Sequence, residues 1–170
     1  AEIWLKREDL SPVRSYKLRG AFNAMRKVTK PGAIFVCASA GNHAQGVAFM
    51  CRYFEVQGVV FMPVTTPEQK IMKTKMFGGS SVEIKLTGDY FDDTLASAQT
   101  YCADVGAYFL SPFDDDDVIV GQASVAVEIE EQLGRIPDRI ILPVGGGGLS
   151  AGTRSYFGKT TEYTFVEPSG

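Results

Sequence analysis

The sequence predicts an α/β protein built on open parallel sheets with flanking helices, and three observations carry that prediction. Short apolar runs rich in β-branched and aromatic residues alternate along the chain with segments whose apolar residues recur every three or four positions. Small-residue loops follow two of those runs, after Ala38 and after Val144, where a strand hands over to a helix. The 170 residues are 45% hydrophobic and 22% charged, a balance that supports a packed core and not a disordered chain. Strands alternating with helices in this order imply right-handed crossovers and therefore parallel pairing.

Taken in order, strands are expected at Ile3–Leu5, Ala33–Ala38, Gly58–Met62, Ser81–Leu86, Ala107–Leu110, Arg139–Val144 and Tyr163–Val166. One helical stripe is Leu18, Phe22, Met25 and Val28; a second is Leu95, Ala98, Cys102 and Val105; a third is Val118, Val125, Ile129 and Leu133. Pro63 and Pro67 bracket a turn that precedes a helix. The acidic run Asp114–Asp117 reads as an exposed loop in preference to a cation site. No tandem repeat or low-complexity segment interrupts the pattern.

Several function classes fall away on composition. A formal net charge of −3 gives no electrostatic case for nucleic acid or an anionic membrane surface. No apolar run approaches the roughly 20 residues of a membrane span, and the start, AEIWLKREDL, has neither signal-peptide nor transit-peptide character. Cys37, Cys51 and Cys102 are odd in number and lack CxxC spacing, so each is expected to be a small buried residue, with no disulfide frame and no metal site. That usage suits a reducing, cytoplasmic setting.

In a parallel sheet, ligands collect where strand carboxyl ends meet helix amino ends, which directs attention to the loops after Ala38, Leu110 and Val144. The last of these opens on Gly145, Gly146, Gly147 and Gly148, with Leu149 starting the helix behind them. Free N–H groups and the helix dipole make such a turn a phosphate cradle, and glycine removes the Cβ that would block the approach. Gly146, Gly148 and Ala151 also fit the G-x-G-x-x-A dinucleotide fingerprint, and Glu167 stands roughly 20 residues further on, where a ribose-binding acid belongs. These residues alone leave a nicotinamide cofactor and a simpler phosphate both open.

The loop after Ala38 repeats the design with Ser39, Ala40, Gly41 and Asn42, either an anion slot or a capped helix start. His43, the single histidine, is expected to contact its own turn. Lys17 follows Ser15 at the start of the first helix, where the dipole disfavours the ammonium form. Its pKa should fall, which makes the neutral amine available to form an imine with an aldehyde cofactor.

SYKLRGA, SAGNHAQG and PVGGGGLSAG, in this order, resemble the fold-type II pyridoxal phosphate enzymes and within them the threonine dehydratases. WLKREDL, MPVTTPEQK, FGG and VEPSG fit the same pattern, so the resemblance runs over essentially the whole chain. It implies a lysine that carries the cofactor covalently, which falls on Lys17, and a partner for the cofactor ring hydroxyl, which falls on Asn42. It implies phosphate binding by Gly145 to Gly148 with Leu149 adjoining, and a substrate slot at Ser39, Ala40, Gly41, Asn42 and His43.

The activity implied is dehydration and deamination of L-threonine, or of L-serine, to a 2-oxo acid and ammonia at the entry to isoleucine synthesis, in a homo-oligomer (dimer or tetramer) that handles a small amino acid. Related racemases place a serine where Ala40 stands, and alanine has no proton to give, which favours elimination. The resemblance further implies a small lobe, residues 31–117, inserted in a large lobe made of 1–30 and 118–170. Family members continue beyond this point, so the large lobe is expected to be incomplete and the isolated chain to turn over poorly.

Overall fold

The structure is a computed structural model that describes residues 2–169. Six helices and six strands alternate: α1 (Lys17–Val28), β1 (Ile34–Ala38), α2 (Asn42–Tyr53), β2 (Gln57–Met62), α3 (Glu68–Gly78), β3 (Val82–Leu86), α4 (Phe91–Val105), β4 (Tyr108–Phe109), α5 (Asp116–Leu133), β5 (Arg139–Pro143), α6 (Gly148–Phe157) and β6 (Glu162–Val166). β1 to β4 form one sheet in the order β3-β2-β1-β4, and β5 and β6 form a second. Every pairing is parallel.

Strand alternation sorts the core onto the two faces of the larger sheet. Phe35 and Cys37 of β1, with Val60 and Met62 of β2, pack beneath Ala21, Ala24 and Met25 of α1 and Ala44, Val47 and Cys51 of α2. Val36, Ala38, Val59 and Phe61 point the other way, onto Ala98 and Cys102 of α4. All three cysteines are buried and free. Burial pushes the Cys51 thiol up to about 12 and Cys37 higher still, so neither is a nucleophile at neutral pH. Among the described residues, no helix is long and apolar enough to cross a membrane.

α5 is the spacer between the two sheets. A Cβ on Gly121 would lie 2.5 Å from the Arg19 carbonyl, and one on Gly152 would lie 2.6 Å from that of Ile119, so α1 and α6 both approach α5 at backbone distance. The α1 side is pinned by charge as well: Arg19 reaches Glu8 at 2.7 Å and Glu128 at 2.6 Å. The Arg19 guanidinium, aided by Lys6, holds the Glu128 carboxyl down to about 2. α1 therefore belongs to two neighbourhoods, with its apolar stripe on the larger sheet and its polar edge on α5.

Six of the seven expected strands form, with ends shifted by at most one residue. Ile3–Leu5 does not. It is exposed, Ile3 at 88%, and has no ladder partner among the described residues, since apolar residues make a strand only when a neighbour accepts their backbone hydrogen bonds. Asp114–Asp117 is also corrected. Asp115 caps α5, its carboxylate accepting from Val118 N–H at 2.9 Å, and Asp116 and Asp117 form the first turn, where the helix dipole favours negative charge. Lys27 pairs with Asp117.

Candidate active site

Lys17 is the first residue of α1, its N–H held by Ser15 Oγ at 3.2 Å. Its side chain is half-buried, and its Nζ donates to the carbonyl of Pro112 at 2.6 Å. Desolvation lowers the lysine pKa, as the sequence led one to expect, but the cause in the structure is burial where the sequence argument invoked the helix dipole.

Pro112 belongs to the β4–α5 loop, and that loop ties the candidate motifs together. Leu110 O accepts from His43 Nε2 at 3.0 Å. Because a carbonyl can only accept, the Nε2 position carries the proton and Nδ1 is left as a buried acceptor without a partner. Burial holds the His43 pKa down to about 4, opposed in part by Leu110 O and reinforced by the Lys17 ammonium. His43 is therefore neutral at pH 7, and it joins α2 to the end of β4 where the sequence suggested contact with its own turn. Phe113, next in the loop, lies on the glycine turn. A Cβ on Gly146 would fall 2.1 Å from the Phe113 ring, and one on Gly148 would fall 3.2 Å from Phe113 Cα.

The glycine turn thus has reasons of several kinds. Gly146 and Gly148 make room for Phe113, while Gly147, the residue before α6, has φ +86°, a left-handed conformation that a Cβ disfavours. Gly145 has neither a positive φ nor any atom within 4 Å of a Cβ. Among the described glycines only Gly41 shares that property, and it stands at the equivalent turn before α2. Two turns with open space where a Cβ would stand, each at a helix amino end whose first N–H groups lack intrahelical partners, fit two anionic groups such as a phosphate and a carboxylate. Leu149 and Ser150 continue the first turn of α6, with Ser150 Oγ donating to Gly147 O at 2.8 Å.

In the loop after β1, Ser39 Oγ accepts from Gly41 N–H at 3.1 Å, so its hydroxyl already organises the turn. Ala40 rests on the core beneath α2. Asn42 opens α2 exposed, and its amide makes no hydrogen bond among the described residues, so it is not the helix cap. Glu167 follows β6, whose Val166 carbonyl accepts from Val144 N–H at 2.9 Å, and so stands beside the glycine turn as the dinucleotide fingerprint requires. Geometry at β5–α6–β6 alone does not separate the two cofactors. The residues that sequence reasoning missed are Leu110, Pro112 and Phe113; their loop was singled out, but nothing in SPF declares that its carbonyls hold Lys17 and His43.

Comparison with known proteins makes the separation. The family described as pyridoxal-phosphate dependent enzyme matches residues 1–170. The chain is 47% identical to the biosynthetic L-threonine dehydratase IlvA of Bacillus subtilis over 175 residues, and 46% identical to that of Corynebacterium glutamicum over 178. These matches take in 99% and 100% of the chain and 41% of either relative, so the chain spans about two fifths of their length. The processed form of threonine deaminase isoform 2 from Solanum lycopersicum superposes with a TM-score of 0.85 at 39% identity, over 96% of this chain and 45% of that one. Maize serine racemase superposes with a TM-score of 0.84 at 26% identity, over 97% of this chain and 50% of that one. The nicotinamide reading has no support among them, and the G-x-G-x-x-A match reflects the physics shared by strand–turn–helix anion sites. With its lysine, its two open glycine turns and a match along its entire length, this chain belongs to the pyridoxal-phosphate dependent enzyme family.

Proposed function

We propose that the protein acts as an L-threonine ammonia-lyase, converting L-threonine to 2-oxobutanoate and ammonia, and that L-serine is its alternative substrate. The observation that carries this reading is Lys17: a half-buried amine with a lowered pKa, joined through the Pro112–Phe113 loop to a glycine turn at the amino end of α6. The N–H groups of Gly145 to Leu149 would hold the cofactor phosphate, Asn42 its ring hydroxyl, and the Ser39–Asn42 turn the substrate carboxylate. Neutral His43 would keep that turn seated on Leu110 without adding a charge.

Pyridoxal phosphate, when bound, supplies an electron sink for negative charge developed at the substrate Cα. Lys17 Nζ would be the base for that carbon. Burial favours its neutral form, so it can take the Cα proton and afterwards return it to solvent or product. Overall, the β-hydroxyl would leave as water and hydrolysis would take up one water to release ammonia, so that L-threonine gives 2-oxobutanoate and ammonia with no net change in water. Ala40 presents a methyl group and no proton donor beside the substrate slot, which favours elimination over protonation from the opposite face.

The lobes expected from the sequence, 31–117 within 1–30 and 118–170, remain part of this proposal, with the smaller lobe supplying the carboxylate turn and the larger the lysine and phosphate turn. A homo-oligomer in the cytoplasm is proposed with them, the latter supported by three free buried cysteines. The test is ammonia release from L-threonine by the natural full-length protein, read beside visible absorption on addition of pyridoxal phosphate. Turnover and a lysine-linked band that are both lost in Lys17→Ala support the reading. Turnover that survives in Lys17→Ala would overturn it.

A further inference from the structure

Gln122 lies in the middle of α5 and is 1% exposed. Its Oε1 accepts from Gly20 N–H at 3.1 Å, across the α1–α5 seam. The partner is a donor, so the carbonyl end must face it, and Nε2 is left buried without an acceptor. In the first turn of α1, Tyr16 O is taken by Arg19 N–H at 3.0 Å, three residues on, and Gly20 N–H turns to Gln122. A side chain of α5 therefore completes the turn that begins with Lys17.

On stability grounds glutamine is a poor choice here. A methionine of similar length would fill the space and remove the orphaned amide nitrogen. What methionine lacks is the acceptor for Gly20 N–H. The room around that bond is made by glycine: a Cβ on Gly20 would lie 2.4 Å from Gln122 Nε2. Ile119, one turn earlier, and the adjacent Ala123 carry the Gly152 contact to α6. Gln122 thus sits where α5 sets the distance between the helix that starts with Lys17 and the helix that starts at the glycine turn.

We propose that Gln122 is a positioning residue, whose carbonyl fixes the first turn of α1 and thereby the placement of Lys17 relative to the glycine turn of α6. The proposal rests on the reading of Lys17 as the cofactor-bearing residue. It predicts that Gln122→Met loses the placement while Gln122→Glu, which keeps a carbonyl at the same reach, retains it.

The test compares both variants with wild type in the natural full-length protein. Without cofactor, hydrogen exchange at the first turn of α1 should be about tenfold faster in Gln122→Met and near wild type in Gln122→Glu. With pyridoxal phosphate, Gln122→Met should bind about tenfold more weakly and its lysine-linked band should titrate at a shifted pH, while Gln122→Glu stays within about threefold. If Gln122→Met does not fold, Gln122→Glu decides: near-wild-type binding and titration support the proposal, and a defect in either overturns it. An intact wild-type band with an unchanged Gln122→Met overturns the proposal alone. A wild-type protein with no lysine-linked band overturns the Lys17 reading and the proposal with it.

Discussion

The turn before α2 and the turn before α6 share a strand-to-helix geometry but are built by opposite means. In the first, Ser39 Oγ holds Gly41 N–H, Ala40 rests on the core, and His43 anchors the helix to Leu110. In the second, Ser150 Oγ donates to Gly147 O, and the glycines take their shape from Phe113 lying on Gly146 and Gly148. One turn is held by its own polar side chains and the other by a neighbour's ring. Each leaves one glycine with open space where a Cβ would stand, and that shared feature is what an anion needs. The teaching of the pair is that a glycine-rich turn can owe most of its glycines to intramolecular packing.

The largest effect is expected at the borrowed support. Gly146→Val drives its side chain into the Phe113 ring, where overpacking costs typically 1–3 kcal/mol and the turn must move. Pyridoxal phosphate affinity should fall about a hundredfold or more. Adding Phe113→Ala should recover part of that loss, since the two residues are in contact and their effects should not add. Equal losses in Gly146→Val with and without Phe113→Ala would mean that Phe113 does not shape the turn.

Next in size is a pH effect at the self-supported turn. The His43 pKa is near 6.5 unfolded and about 4 folded, so the unfolded chain binds the extra proton first as pH falls. The stabilisation is fully present above pH 6.5 and is lost through the window from 6.5 to 4, amounting to on the order of 3 kcal/mol. Thermal melts of wild type and His43→Asn across that range should therefore converge as pH falls. Parallel curves would show that His43 is not held neutral.

The smallest effect on the fold belongs to the two open glycines. Gly41→Ala and Gly145→Ala meet nothing and strain no left-handed residue, so stability should change by less than about 0.5 kcal/mol. Cofactor affinity in Gly145→Ala, and substrate KM in Gly41→Ala, should nonetheless worsen about tenfold, because the added methyl stands in the cradle. Substitutions as silent in binding as in stability would deny both turns their anion.

Much of this was legible from the chain. Helix stripes such as Leu95, Ala98 and Cys102, and the runs around Val36 and Val60, announce their elements because burial imposes a period on the sequence. Lys17 and the glycine turn were visible because amines and consecutive glycines are scarce at helix amino ends. The links between them were not. Pro112 and Leu110 act through backbone carbonyls, which every residue owns, and Gln122 hides within an apolar helix face. Ile3–Leu5 misled for the converse reason, as strand-like residues without a partner strand. The loop at Leu110–Asp115 holds the site together through tertiary contacts that have no local signature.

The central claim is that Lys17 is the amine set to hold pyridoxal phosphate. Borohydride reduction of the natural full-length protein with stoichiometric cofactor, followed by peptide mapping, tests it most directly. The account predicts a single pyridoxyl adduct, on Lys17. Adducts scattered over exposed lysines such as Lys70 and Lys73, with Lys17 unmodified, would contradict it.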